Sequence, residues 1–246
     1  MAIVLITGAA GGVGRAAALE LAAAGWKLAL VSRHAERLAQ AFGAAHLQIE
    51  ADASTADGAR RAVQACIDTL GEPPAGLVHA AGSTLIQAAH RTSAEQWRQV
   101  MAANLDSAFF TLSAWADALR QAQQPGAAVL FSSVVARVGV ANHEAIAAAK
   151  GGIEALARSM AATYSAQRLR VNVLAPGMTD TPMTAGMLKM DAVREAAAKQ
   201  YPLGSIGTAD ELAKTAAFLL SDAAARITGQ VIAVDGGFTA VRPLVR

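Results

Sequence analysis

The feature that most limits how this chain can fold is the alternation of short aliphatic runs with longer amphipathic segments rich in Ala and Leu. Such alternation is typical of βαβ units, in which helices cover both faces of a parallel sheet. The runs 77–80 and 128–131 contain no alternating polar positions, as expected for central strands buried on both faces. We therefore predict an α/β fold with one doubly wound domain over residues 1–246. Its seven-stranded, mostly parallel sheet would have strands near 3–7, 27–32, 46–50, 76–80, 127–132, 169–174 and 231–234.

Composition supports a globular protein and narrows its partners. Hydrophobic residues make up 54% of the chain and charged residues only 16%, which is enough apolar material for a large core. The net charge of +2 is scattered, so neither nucleic acid nor an anionic membrane surface is an expected partner. Cys66 is the single cysteine, and no Cys and His cluster has metal-ligand spacing. With no basic leader and no apolar stretch near the ~20 residues of a membrane span, we expect a cytoplasmic protein without a metal.

Capping residues predict the starts of two helices. Thr208 precedes Glu211 by three residues and Ser93 precedes Gln96 by three, which is the spacing of a capping box. The segment 178–205, with four methionines, is the one long irregular excursion. It is either a surface insertion or a mobile lid over a substrate. Its methionines suit an adaptable apolar pocket and equally an irregular core.

A glycine-rich turn follows the first predicted strand. The strand 3–7 runs into Gly8-Ala9-Ala10-Gly11-Gly12-Val13-Gly14 and then into a helical pattern. Glycines at such a turn let the backbone approach a pyrophosphate, and the helix N-terminus offers unpaired N–H groups and a favourable dipole. Because strand, turn and helix all occur in order, we interpret this turn as a dinucleotide site rather than as a purely structural turn.

The ends of the next two predicted strands indicate which dinucleotide binds. An acidic residue after the second strand accepts hydrogen bonds from an NAD ribose, whereas an Arg there suits a 2′-phosphate. This chain has Arg33 and no acid at that point, which favours NADP(H), although a solvated Arg at a strand end would look the same. Asp52 follows the third strand, where it could hold the adenine amino group or simply form a turn.

These motifs form part of a longer ordered set. It continues with His79-Ala80-Ala81-Gly82, Asn104 in Ala-Asn-Leu, Ser132-Ser133, Lys150, Arg170-Val171-Asn172, Pro176-Gly177 with Thr181, and Thr228-Gly229-Gln230 through Asp235-Gly236-Gly237. In this order and spacing the chain resembles the short-chain dehydrogenase/reductases over nearly its whole length, and most of all their 3-oxoacyl-[acyl-carrier-protein] reductases. The resemblance implies a Rossmann domain, a nicotinamide cofactor and reduction of a carbonyl.

The resemblance also implies roles for individual residues. Ser133 would donate a hydrogen bond to the substrate carbonyl, Asn104 would hold a water in a proton relay, and Lys150 would bind the nicotinamide ribose. The remaining cofactor contacts would be Gly8, Gly12, Val13 and Gly14 at the diphosphate and ribose, Arg33 at the 2′-phosphate, Asp52 and Ala53 at the adenine, Gly82 in the motif after the fourth strand, and Thr181 at the carboxamide.

Two departures from the family pattern affect these expectations. His79 and Ala80 stand where the family has two asparagines, so we expect the loss of a hydrogen bond that braces the sheet. Ile146 stands four residues before Lys150, where the family has a tyrosine that protonates the developing alkoxide. An isoleucine has no proton to give.

Two hypotheses therefore remain open from the sequence. One is an NADP(H)-dependent reductase of a 3-oxoacyl thioester or similar substrate, with His143 or a bound water as the proton donor. His143 lies seven residues before Lys150, on about the same helical face, and could equally be a first-turn residue beside an Asn142 cap. The other is a catalytically silent, cofactor-binding subunit paired with an active paralogue. Apolar surfaces on helices near 94–124 and 142–166, together with the resemblance, predict a homotetramer.

Overall fold

The aliphatic runs form a seven-stranded sheet in the computed structural model, which describes residues 1–242. Strands in this part of the chain are β1 (Ile3–Thr7), β2 (Lys27–Ser32), β3 (Leu47–Glu50), β4 (Gly76–His79), β5 (Gly126–Phe131), β6 (Leu169–Pro176), β7 (Thr179–Asp180), β8 (Gly207–Thr208) and β9 (Val231–Val234). The large sheet has the order β3-β2-β1-β4-β5-β6-β9, with every described pair parallel. The predicted fold class and all seven predicted strands are confirmed.

Helices cover both faces of this sheet. They are α1 (Gly12–Ala23), α2 (Ala35–Phe42), α3 (Ala56–Leu70), α4 (Ala94–Met101), α5 (Ser107–Ala122), α6 (Glu144–Thr163), α7 (Asp191–Ala198) and α8 (Ala209–Leu220). Helices α1, α2 and α8 contribute to the core on one face, and α3, α5 and α6 to the core on the other. Within residues 1–242 no helix is both long and apolar enough to cross a membrane.

The two cores follow from the side-chain alternation of the strands. Neighbouring residues on a strand point to opposite faces, so Leu5 joins the core with Trp115 while Ile6 joins the core with Leu21. All five residues of β1 are buried, because helices cover the strand on both sides. The centre of the sheet is therefore a rigid base for the groups at its carboxyl edge.

Both predicted capping boxes are present. The Ser93 hydroxyl accepts from the Gln96 amide at 3.1 Å, and the Thr208 hydroxyl accepts from the Glu211 amide at 3.3 Å. The expected Asn142 cap of α6 is wrong. His143 occupies the cap position without a side-chain cap bond, and Asn142 has a left-handed backbone with φ of 64°. Asn tolerates that conformation better than most residues, so it forms the turn that leads into the helix.

The excursion 178–205 contains more regular structure than the sequence indicated. It includes β7 and α7, and β7 pairs with β8 at its far end. Arg194 on α7 forms an ion pair with Asp180, with 2.5 Å between Nη1 and Oδ2. Near the end of the segment, the Tyr201 hydroxyl accepts a 2.6 Å hydrogen bond from the Met178 amide. These contacts fasten the two ends of the segment together beside the carboxyl edge of the sheet.

A π-helical turn separates α4 from α5. Residues Ala102–Asp106 form this turn within a helix that otherwise runs from Ala94 to Ala122. A π turn inside an α-helix widens the backbone, and such turns are frequent at functional sites. Asn104 lies within it and is fully buried.

Candidate functional site

A cleft of about 490 Å³ lies along the carboxyl ends of β1, β2, β3 and β4. The strand order reverses between β1 and β4, and ligands of open α/β sheets bind in the crevice beside such a reversal. Among the predicted site residues, the cleft is lined by Gly8, Gly12, Arg33, Asp52, Ala53 and Gly82. The cleft thus gathers residues from six separate stretches of the sequence at one edge of the sheet.

The glycine turn forms a close-fitting wall of the cleft. Gly8 has φ of +65°, and a Cβ there would lie 2.6 Å from the Ala80 backbone, so neither the conformation nor the space allows a side chain. A Cβ on Gly12 would lie 2.9 Å from the Thr181 Cβ, so the segment 178–205 closes against this turn. Gly14 lies behind the wall, where a Cβ would collide with the Gly8 carbonyl, and Val13 packs against the core on the α1 side of the sheet.

The first turn of α1 points its amides toward the cleft. Its cap residue, Gly11, has no side chain with which to satisfy them. These amides and the positive end of the helix dipole provide a site for a phosphate group. Gly11 also lines the cleft, although the sequence analysis did not assign it a role.

The outer end of the cleft is strongly polar. Arg33 follows β2, and Arg37, which the sequence analysis missed, lines the same end from the first turn of α2. Asp52 accepts hydrogen bonds from the Ser54 amide at 2.9 Å and the Ser54 hydroxyl at 2.7 Å. Burial alone would raise the pKa of the Asp52 carboxyl, but the Ser54 hydrogen bonds and the charge of Arg33 bring it below its usual value. This end therefore presents two guanidinium groups beside one firmly held carboxylate.

His79 braces the sheet, so the expectation that this brace is lost is wrong. Its Nδ1 lies 2.9 Å from the Thr7 hydroxyl oxygen and its Nε2 lies 3.1 Å from the Ser107 hydroxyl oxygen. Thr7 ends β1 and Ser107 begins α5, so the imidazole connects two elements to β4. The sequence could not show this, because the partners lie 72 and 28 residues away.

Lys150 lies behind the cleft, near the end of β5. Its ammonium donates a 2.8 Å hydrogen bond to the Phe131 carbonyl, and burial lowers its pKa to about 8. The neighbouring Ser132 hydroxyl oxygen lies 3.3 Å from the Lys150 carbonyl oxygen, and the Ser133 hydroxyl accepts from the Val135 amide at 3.4 Å. The loop after β5 is thus attached directly to α6, which places Ser133 and Lys150 in one neighbourhood.

A buried carboxylate supports this loop and was missed from the sequence. Glu154, only 8% exposed, lies one helical turn after Lys150 on α6. Its Oε1 accepts from the Ser132 hydroxyl at 2.9 Å and from the Arg137 Nε at 3.3 Å. The four-residue spacing between Lys150 and Glu154 is the signal that could have identified it, since such residues share one helical face.

Asn104 joins the same neighbourhood through the loop after β4. Its amide group donates to the Ser83 hydroxyl at 3.2 Å and to the Val100 carbonyl at 2.9 Å, and its carbonyl oxygen accepts from the Ser83 amide at 3.3 Å. A Cβ on Gly82 would lie 2.8 Å from that oxygen and 3.6 Å from the Lys150 nitrogen. Gly82 therefore leaves the space through which Asn104 and Lys150 approach each other.

Ile146 is part of a small apolar cluster. It is 4% exposed and packs with Val100, Ala145 and Ala149, with Leu85, Met101 and Val135 around them. One turn from Lys150, the helix therefore presents hydrocarbon where a proton donor would need a hydroxyl, an imidazole or a carboxyl group.

His143 is placed away from Lys150. It precedes α6 directly, and its Nδ1 lies 2.7 Å from the Ala141 carbonyl oxygen. Since a carbonyl only accepts, Nδ1 carries the hydrogen and Nε2 is the nitrogen that can gain and release a proton. Seven residues of helix separate it from Lys150, a rise of about 10 Å along the axis. No described hydrogen bond joins His143 to Ser133 or Lys150.

Known proteins share this architecture. Residues 8–239 match the family described as enoyl-(acyl carrier protein) reductase. The chain is 40% identical to the Xanthobacter autotrophicus protein named inactive 2-(S)-hydroxypropyl-CoM dehydrogenase 2, over 89% of this chain and 97% of that protein. It is 34% identical to a 3-oxoacyl-[acyl-carrier-protein] reductase of Pseudomonas aeruginosa, over 96% of each. A short-chain type dehydrogenase/reductase from Mycobacterium ulcerans superposes with a TM-score of 0.91 at 31% identity, over 98% of this chain and 90% of that one.

The chain belongs to the short-chain dehydrogenase/reductase family. This family binds a nicotinamide dinucleotide, and the cleft of this member fits such a ligand. A Cβ at Gly8 would collide with the Ala80 backbone and one at Gly12 with Thr181, so only glycines allow this close-fitting wall. The amides in the first turn of α1 lie where a diphosphate needs hydrogen-bond donors. Gly8, Gly12, Arg33, Asp52, Ala53 and Gly82 could hold this cofactor from the cleft, and Thr181 could reach it from above Gly12.

Proposed function

We propose that this short-chain dehydrogenase/reductase binds NADP(H) in preference to NAD(H). The supporting observation is that Arg33 and Arg37 both line the outer end of the cleft, where NAD-binding relatives carry an acid after the second strand. A guanidinium forms paired, charge-assisted hydrogen bonds with phosphate oxygens. Two of them at one end suit the additional 2′-phosphate of NADP(H).

The reaction that we propose is reduction of a ketone carbonyl in a 3-oxoacyl thioester or a similar substrate. When bound, the reduced cofactor supplies the hydride. Ser133 would donate a hydrogen bond to the carbonyl oxygen, Lys150 would hold the nicotinamide ribose, and Asn104 would keep a water in place. The contacts that link the loop after β5, α6 and the π turn support this grouping. Positioning and hydrogen bonding can supply much of the rate enhancement without a side-chain acid.

The proton donor in this proposal is His143 Nε2 or a bound water. By resemblance Ile146 occupies the position of the family's tyrosine, and its apolar surroundings offer no replacement on that turn. The His143 ring is only partly buried, with Nδ1 fixed by the Ala141 carbonyl, so Nε2 is the atom left to donate a proton. A histidine can act as an acid near neutral pH.

A catalytically silent, cofactor-binding subunit is the second candidate. Two observations favour it: the hydrocarbon cluster around Ile146, and the 40% identity to a protein named inactive. In this case Lys150 would hold the cofactor, and an active paralogue would supply the chemistry in a heteromer.

Three proteins distinguish these candidates: wild type, Ile146→Tyr and His143→Ala, each assayed for NADPH consumption with a 3-oxoacyl thioester. If only the acid is missing, Ile146→Tyr should raise turnover by up to ~10²–10⁴-fold. If His143 donates the proton, wild type should turn over and His143→Ala should abolish it, whereas retained activity would leave water as the donor. Ala148→Tyr, which adds a phenol on the exposed side of α6, is the matched control and should change nothing.

If neither the wild type nor Ile146→Tyr consumes NADPH but both bind it, the silent subunit is favoured. Turnover should then appear only when an active paralogue is added, and Lys150→Ala should weaken NADPH binding. Absence of NADPH binding in the wild type would contradict both candidates.

A further inference from the structure

Two hydroxyl groups and one imidazole form a hydrogen-bonded chain beneath the cleft. It begins at Thr7 at the end of β1, continues through His79 at the end of β4 and ends at Ser107 on α5. All three residues are at most 2% exposed. Ser107 extends the chain into the π turn, because its hydroxyl oxygen lies 2.8 Å from the Ala103 carbonyl.

The direction of each hydrogen bond follows from the acceptor at the end of the chain. The Ala103 carbonyl can only accept, so the Ser107 hydroxyl donates its single hydrogen to it. Ser107 must then accept from His79, which places the imidazole hydrogen on Nε2. The bare Nδ1 accepts in turn from the Thr7 hydroxyl. His79 is therefore a neutral Nε2–H imidazole. Every hydrogen bond in the series points the same way, because each group donates to the next one, from Thr7 toward the Ala103 carbonyl.

The surroundings keep His79 neutral. Burial, together with the nearby charge of Lys150, lowers its pKa to about 3. A neutral imidazole has one donor and one acceptor, and the chain uses both. An imidazolium would have two donors, so the Thr7 hydroxyl would have to turn its hydrogen away and accept a hydrogen bond from Nδ1 instead.

The ends of the chain coincide with the walls of the cleft. Thr7 and Ser107 both line it, and Ala103 lines it from the π turn. Thr7 also leads directly into Gly8, whose position against the Ala80 backbone shapes the glycine turn. His79 itself does not line the cleft, so it can act on a bound ligand only through these two neighbours.

We propose that His79 is a positioning residue for the dinucleotide: the chain Thr7–His79–Ser107 fixes the glycine turn and the π turn at the separation that the ligand requires. The inference rests on the proposed binding of NADP(H) and not on any catalytic step. It also assigns a polarity to Thr7. Its hydrogen is committed to His79, so its oxygen can only accept from the ligand and suits a ribose hydroxyl rather than a phosphate oxygen.

The test measures NADPH affinity by calorimetric titration in a mutant cycle, with thermal unfolding of each protein measured in parallel. His79→Leu should raise the NADPH Kd roughly tenfold, and Thr7→Val and Ser107→Ala should each raise it by several fold. Because one hydrogen-bonded chain transmits the effects, the double variant Ser107→Ala, His79→Leu should bind about as weakly as His79→Leu alone. His79→Asn can keep one of the two hydrogen bonds and should recover part of the affinity.

Thr111→Val is the matched control. Its hydroxyl is also buried, on the same helix as Ser107 and one turn later, and it has no hydrogen-bond partner in the described part of the chain. It does not line the cleft, so this variant should leave the NADPH Kd unchanged.

Two results would overturn the inference. In the first, His79→Leu lowers the unfolding temperature but leaves the Kd unchanged, which would make the chain a stabilising feature only. In the second, the effects of Ser107→Ala and His79→Leu on the Kd simply multiply. If His79→Leu does not fold, the cycle is completed with His79→Asn. Failure of the wild type to bind NADPH is a different outcome, because it refutes the proposed function and this inference with it.

Discussion

Arg33 and Arg37 are the side chains on which cofactor preference depends in our proposal. Both line the outer end of the cleft, so Arg33→Ala and Arg37→Ala should each weaken NADPH binding, by roughly 10-fold or more for Arg33. NADH lacks the 2′-phosphate, so its affinity should hardly change. Fluorescence titration with both cofactors measures the difference. Lys27→Ala is the control, because Lys27 is exposed at the amino end of β2, whereas the cleft lies at the carboxyl ends of the strands. Equal losses for both cofactors would contradict the assignment.

The buried His79 gives the fold a defined sensitivity to acid. Its pKa is about 3 in the folded protein, whereas a histidine in an unfolded chain has a pKa near 6.5. Between these values the unfolded chain binds one more proton than the folded one, so the free energy of unfolding falls as the pH drops from about 6.5 toward 3. The loss approaches ~1.4 kcal/mol per pH unit, and above 6.5 His79 adds no pH dependence.

Urea unfolding at pH 7 and pH 5 measures this effect. The wild type should lose more stability between the two values than His79→Asn, because asparagine does not titrate. Thr111→Val, which leaves the imidazole in place, should keep the full pH dependence of the wild type. The same loss of stability in wild type and His79→Asn would show that other groups cause the acid sensitivity.

Side chains near one another in sequence were easier to predict than those that meet across the fold. The glycine turn, Arg33 and Asp52 were placed at the cleft from local pattern alone, because strand ends and helix starts carry local signals. The His79 contacts were missed because they depend on which distant element lies opposite. Arg37 and Glu154 were missed although each lies four residues after a predicted site residue. Asn142 was misplaced because its left-handed backbone makes a turn that capping preferences do not describe.

Among the elements, the segment 178–205 is held at its start by the hydrogen bond between the Met178 amide and the Tyr201 hydroxyl. Tyr201→Phe removes the oxygen that accepts from the Met178 amide but keeps the ring against Gly177 and Phe238. An unpaired amide in this partly buried place costs up to about 1–3 kcal/mol, which corresponds to a lower unfolding temperature of roughly 2–12 °C in a chain of this size. The segment should also be cut faster by trypsin at Lys189 and Lys199.

Tyr164→Phe provides the comparison for this variant, because Tyr164 lies at the end of α6 and away from the segment. It should change neither the unfolding temperature nor the cleavage rate at Lys189 and Lys199. Identical cleavage of Tyr201→Phe and wild type would mean that the other contacts of the segment, among them the ion pair of Asp180 with Arg194, are sufficient to hold it.

Strands and helices of the main sheet could be predicted because each repeats a local hydrophobic period. The pairing of β7 with β8 could not, since each strand has two residues and their partners are 28 positions apart. The π turn has no period of its own, so the sequence indicated one uninterrupted helix across Ala102–Asp106.

For the whole molecule, exposed apolar residues on the outer helices support the expectation of a homotetramer. Phe109 on α5 is 48% exposed, on a helix that the sequence analysis assigned to the subunit interface. Sedimentation velocity at micromolar concentration should show a tetramer, and Phe109→Glu should shift it toward smaller species. Leu19→Glu is the control, because Leu19 is 57% exposed on α1, which covers the other face of the sheet. A monomeric wild type would refute the prediction.

The π turn has a consequence for the length of the chain at this point. A π turn accommodates one residue more than an α turn, so Ala102–Asp106 is equivalent to an ordinary helix that has gained a single residue. Deleting Ala102 would restore continuous α-helical geometry, and α4 and α5 would keep nearly the same rotation relative to each other, because the π turn absorbs its additional residue within a single turn. Val100 would then keep its place beside Ile146, and the change would fall on the widened turn that holds Asn104. Here the number of residues, rather than their identity, sets the shape of the site, and alignments that ignore one-residue gaps would overlook it.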